Sequence, residues 1–139
     1  MKPRLTIVTL GVASMERSKE FYKNALGWEP VDPNDGIAFY AQGGIVFALF
    51  PMIGLAEDVM IPPERSGFSG VALAINLENK EEVDELFRQV VDNGAKSLVE
   101  PHETFWGGYD CYFADPDGHP WEIAWAPFWK YDEQGSLIM

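Results

Sequence analysis

Cysteine is nearly absent. Cys111 is the only one in 139 residues, which excludes an intrachain disulfide and a cysteine-rich zinc site and suits a reducing cytoplasm. No apolar run approaches the ~18 residues that a membrane-spanning helix needs. Residues 5–13 follow Lys2 and Arg4 as the apolar part of a secretory signal would. They are rich in Val, Ile and Thr, however, and run straight into a helix start, so they read as a first strand of a cytoplasmic protein. Positive charge is also scarce: 10 Lys and Arg stand against 22 Asp and Glu, a net charge of −12. A surface of that sign repels a phosphate backbone and an anionic bilayer, so neither nucleic acid nor a membrane is an expected partner. With 47% hydrophobic and 23% charged residues, the chain has the composition of one soluble domain with a substantial core.

Residues 5–12 are mostly β-branched and read as a strand. Ser14 is a helix N-cap, with Glu16 in the first turn. Phe21 and Ala25, then Tyr22 and Leu26, recur at helical spacing up to Gly27. A short strand at 28–31 is expected next, then the turn Asp32-Pro33-Asn34-Asp35-Gly36. Strands at 37–41 and 45–50 flank Gln42-Gly43-Gly44 as a hairpin. Residues 52–67 form a Pro- and Gly-bearing connection with room for a helical turn.

The pattern then restarts. Residues 70–77 form a strand, Asn79 and Glu82 a capping pair, and Val83, Leu86, Phe87, Val90 and Val91 an apolar helix stripe closed by Gly94. Strands follow at 95–100, 109–114 and 120–126, the last two joined by Asp115-Pro116-Asp117-Gly118. The first strands of the halves superpose without a gap, 5–12 on 68–75, and so do the last strands, 45–50 on 120–125. The chain therefore reads as an internal repeat: an α+β domain of two tandem βαβββ modules, 5–51 and 68–127, with a tail at 128–139.

Three stretches resemble the vicinal oxygen chelate superfamily of glyoxalases, bleomycin-resistance proteins and extradiol dioxygenases. They are Leu10-Gly11-Val12 through Ser18, Phe21, Tyr22 and Leu26-Gly27-Trp28; Trp106-Gly107-Gly108-Tyr109; and Tyr112 through Asp115-Pro116-Asp117-Gly118-His119-Pro120-Trp121-Glu122. The resemblance implies curved sheets that form a cup around a small-molecule site. It also implies a metal held by His, Glu or Gln at positions that transfer to Ile7, Phe47, Gly70 and Glu122. Only Glu122 is a donor there, and one carboxylate is too few for a divalent ion, so no metal and no other cofactor is expected. His102 and His119 read as solvated loop residues, and Cys111 has no evident activating histidine.

Strand alternation then assigns the cup lining: Ile7 and Thr9; Gly70, Ala72 and Ala74; Ile45, Phe47 and Leu49; Glu122 and Ala124. The opposite parity, including Val8, Leu10, Trp121 and Ile123, is left to pack under the helices. Expected ligand contacts are Thr9, Phe47, Ala72, Trp106, Tyr112 and Glu122, with Trp106 as a stacking ring at the mouth. Such a cup suits a small apolar or aromatic molecule bound without metal. The alternatives are a glyoxalase-like lyase or dioxygenase-type enzyme using Glu122 as acid or base, or an unforeseen metal, and an interaction module whose cup is filled by its own side chains. A homodimer is expected, because such modules pair across chains and the aromatic tail offers apolar surface.

Overall fold

Side-chain caps set both long helices. The computed structural model describes residues 1–31 and 36–139; most of the turn expected at 32–36 lies outside the described residues. Helix α1 (Met15–Leu26) starts where the Ser14 side chain accepts a hydrogen bond from Arg17 N and stops at Gly27, whose left-handed backbone (φ 71°) suits glycine. Helix α3 (Lys80–Asp92) starts with Asn79 Oδ1 accepting from Glu82 N at 2.8 Å, while Glu82 Oε2 accepts from Glu78 N at 3.0 Å. The expected capping pair is thus present, with its return bond one residue further out.

Two sheets carry the repeat. The first comprises β1 (Ile7–Val12), β2 (Ala38–Gln42) and β3 (Ile45–Pro51), in the order β1-β3-β2. The second comprises β4 (Leu73–Asn76), β5 (Lys96–Glu103), β6 (Tyr109–Ala114) and β7 (Pro120–Trp125), in the order β4-β7-β6-β5. In each sheet the strand before the helix lies parallel to the last strand, and the others pair antiparallel. This is the α+β architecture that the repeat implied. Between the sheets in sequence, α2 (Met52–Val59) makes two turns where one was expected, and the tail closes with a small hairpin, β8 (Lys130–Tyr131) and β9 (Leu137–Ile138).

Three expectations about the strands need correction. Residues 28–31 form no strand; among the described residues one backbone bond, Val31 N to Phe39 O at 2.7 Å, ties them to β2. The strand expected from residue 70 starts only at Leu73, because Gly70 sits at φ 83° and breaks the extended run. Phe47 and Leu49 do not line the cup. The parallel register places Val8 beside Phe47 and Leu10 beside Leu49, and neighbours across a ladder share a face. Phe47 and Leu49 are therefore buried with Leu10, Val12, Tyr22 and Trp121 in the core. Superposing 45–50 on 120–125 is out by an odd number of residues, which exchanges the faces. The outward positions of β3 are Val46, Ala48 and Phe50.

The two sheets meet through these helix-side faces, with α1 and α3 packed into the same core. Phe47 and Trp121, one from each sheet, lie 5.5 Å apart, and Tyr22 of α1 touches both rings. The joint is fastened by the Asp115–Gly118 turn. Asp115 is buried; its Oδ2 accepts from the Tyr22 hydroxyl at 2.6 Å and its Oδ1 from Asp117 N and His119 N, both at 2.9 Å. Trp121 Nε1 donates to the Tyr22 oxygen at 3.1 Å. Asp117 reaches the start of α1, accepting from Ala13 N at 2.8 Å and from the Ser18 hydroxyl at 3.1 Å, where negative charge suits the helix dipole. His119, expected to be solvated, instead has Nε2 2.8 Å from Gly11 O.

Loss of this carboxylate would strand three donors. Asp115→Ala is expected to lower the unfolding free energy by about 3 kcal/mol, and Tyr22→Phe by about 1.5 kcal/mol. Urea melts of the two variants check both values; a loss at Asp115 within error of zero contradicts the joint.

Candidate functional site

Because the helix-side faces turn inward, the opposite faces of both sheets turn out. On the second sheet the antiparallel register sets Tyr112 opposite Glu122 and Asp110 opposite Ala124, and β5 adds His102 opposite Asp110. Three strands thus bring Asp110, Tyr112, Glu122 and His102 onto one face.

Glu122 is half-buried. Its carboxyl lies near that of Asp110 and the Tyr112 hydroxyl. Burial, then the neighbouring Asp110 carboxyl, raise the pKa of Glu122 above the ordinary carboxylate value; the Tyr112 hydroxyl opposes this. The Tyr112 hydroxyl is pushed up to about 12 by burial and by the neighbouring Glu122 charge. Asp110 is only 5% exposed, and its Oδ1 has no hydrogen-bond partner among the described residues. The imidazole Nδ1 of His102 lies 3.5 Å from that oxygen, and 3.2 Å from Glu100 O.

The other expected contacts are dispersed. Thr9 is part-exposed on the outward face of β1, and Ala72 is exposed just ahead of β4. Phe47 belongs to the core. Trp106 sits on the β5–β6 turn, where its ring packs against Trp129 at 5.5 Å and Phe128 at 6.4 Å, on the tail. Sequence reasoning missed Asp110 and read His102 as a solvated loop residue, whereas it lies within β5, half-exposed. Stepping back two residues from Tyr112 along its strand would have found Asp110, and the hairpin register would have added His102. Cys111 lies on the helix-side face, fully buried, with its thiol pushed up to about 12 chiefly by burial.

The residues present do not fit the metal that the resemblance implies. Ile7, Gly70 and the outward positions of β3 offer no donor, and among the described residues no group of three or more His, Cys, Asp or Glu is placed to hold an ion. Also among the described residues, no helix is long and apolar enough to cross a membrane.

Comparison with known proteins agrees with the fold. The family model of the Glyoxalase/Bleomycin resistance protein/Dioxygenase superfamily matches residues 4–123. A crystal structure of a glyoxalase-related enzyme from Fulvimarina pelagi superposes with a TM-score of 0.91 at 37% identity, covering 98% of this chain and 97% of that one. Metallothiol transferase FosB of Staphylococcus saprophyticus is 28% identical over 116 residues, 84% of this chain and 72% of that protein. Catechol-2,3-dioxygenase of Bacillus subtilis is 26% identical over 94% of this chain, which spans only 45% of that protein.

The raised Glu122 carboxyl has a consequence for stability. Between the ordinary carboxylate pKa and the raised one, the folded chain holds a proton that the unfolded chain has lost, so stability falls as pH rises through that window. Glu122→Gln abolishes this component and supplies an amide donor to Asp110. The variant is expected to melt above the wild type at about pH 8, with the two converging towards about pH 4. Thermal melts across that range check it; a variant less stable at the alkaline end would show Glu122 to be a structural anchor.

Proposed function

We propose, from the premise that the chain belongs to the glyoxalase/bleomycin resistance protein/dioxygenase superfamily, that it binds a small molecule with an apolar or aromatic body and a cationic or hydrogen-bond-donating group. The observation that carries this reading is the Asp110 carboxyl, buried beside Glu122 with one oxygen unpartnered. A buried carboxyl oxygen without a donor is costly, and an ammonium or N–H group from a ligand would relieve it. Ile7 and Val99 supply exposed apolar surface on the outward faces, which suits the body of such a ligand. The net charge of −12 draws cations towards the protein.

The site works without a metal in this reading, since its donors are one carboxyl pair and a phenol. It is completed by a second copy of the chain. Ile7 is 46% exposed, Val99 42% and Val71 53%, more apolar surface than single open sheet faces usually leave in water. A homodimer would turn two open faces towards each other and close the cup. Cys111, buried and unreactive, suits the cytoplasm.

A second reading is favoured by the raised pKa of Glu122. A carboxyl whose pKa is raised is better able to give a proton to a substrate, as a lyase would require, and relatives named metallothiol transferase and catechol dioxygenase stand near this chain. A full equivalent of bound metal that disappears in Glu122→Gln would move the protein to an enzymatic reading.

The test uses 1-naphthylmethylamine, a cationic aromatic probe, in a calorimetric titration. Glu122→Gln and Asp110→Asn are each expected to weaken binding by about 1–3 kcal/mol, the scale of a charged hydrogen bond, with the fold retained. Equal affinity in the wild type and both variants would contradict the carboxyl pair as the recognition element.

A further inference from the structure

A concavity lies between the sheets; it extends to Ala74, the ladder neighbour of Glu122, but Glu122 itself does not line it. It is a cleft of about 590 Å3, walled by Val8 and Phe47 of the first sheet, Leu73 and Trp121 of the second, and Trp28 after α1. This volume is that of a small-molecule pocket. Trp28, Phe47 and Trp121 form a triangle of rings, with centroids 5.5–5.6 Å apart.

The rim is polar but carries no charge. Gln42 continues the helix-side parity of Tyr40 at the end of β2, and Gln134 and Ser136 come from the turn between β8 and β9. That turn is fixed by Asp132, whose Oδ1 accepts from Gln134 N at 2.9 Å and Ser136 N at 2.8 Å. None of the three rim side chains is hydrogen-bonded among the described residues. The fourth side is the edge strand β4, which pairs only with β7 and lines the cleft with four consecutive residues, so its backbone offers donors and acceptors. No Asp, Glu, Lys or Arg lines the cleft, although the whole chain carries 22 acidic and 10 basic residues.

We propose that this cleft is a binding site for an uncharged, flat aromatic molecule with hydrogen-bonding groups at its edge. The part-exposed Trp28 ring offers an aromatic contact to a planar body, with the buried Phe47 and Trp121 rings behind it. The side-chain amides and hydroxyl, with the β4 backbone, satisfy polar atoms at its margin. A charged ligand would give up its hydration there with no counter-charge to meet it. The preference is thus opposite to that of the outward Glu122 face, and the proposal is independent of the function assigned to that face.

The probe is 6-propionyl-2-dimethylaminonaphthalene, a neutral two-ring fluorophore with a carbonyl at one end. Wild-type protein is expected to bind it saturably, one per chain, with a blue shift of its emission and quenching of tryptophan. Leu73→Trp fills the cleft from its wall and is expected to weaken binding at least about tenfold. Should that variant melt more than about 10 °C below the wild type, Gly44→Trp replaces it, with the same loss expected. A Cβ at Gly44, on the cleft mouth, meets no atom within 4 Å. Unchanged affinity in the folded occluding variant, or no saturable binding by the wild type, overturns the proposal.

Discussion

The hydrogen bond from Tyr22 to Asp115 is the constraint on which the arrangement depends. It joins the first helix to the turn that follows β6, 93 residues away, and it is buried at both ends. Asp115 also closes its own turn through two backbone N–H groups, so one carboxylate holds the local loop and the distant helix together. Asp117 and His119, on the same turn, grip the start of α1 and the end of β1. With this joint in place the sheets meet helix side to helix side. Their other faces must then point outward, and Glu122, four residues beyond the turn, is carried onto such a face.

Much of this was legible in the sequence, for reasons that can be traced to particular residues. Ser14, Gly27 and Asn79 act locally, so their caps could be read directly. The Asp-Pro-Asp-Gly turn was legible as a turn and as a family mark, but its reason was not: its acids serve the joint, and that depends on residues about a hundred positions away. Phe47 was misplaced because 45–50 is apolar at every position. A central strand with both faces covered or apolar shows no alternation, so only the ladder with β1 fixes its parity. Asp110 was overlooked because a lone acid in a strand resembles a solvated position until its register with His102 and its nearness to Glu122 are known.

The outward Glu122 face and the cleft differ in their chemistry. The outward face of the second sheet holds a carboxyl pair and a phenol among apolar side chains; the cleft between the sheets holds rings and amides with no charge. Both follow from one chain folded as two similar halves, since joining the halves by their inner faces leaves a seam between them and an open wall on each outer side. The acidity of the chain is concentrated outside the seam.

The central claim is that the outward faces are open in one chain and closed by a second. A native mass spectrum at micromolar concentration tests it most directly. The account predicts a species of twice 15.6 kDa that persists when ionic strength is raised, as apolar contact requires. A single species at 15.6 kDa would contradict it.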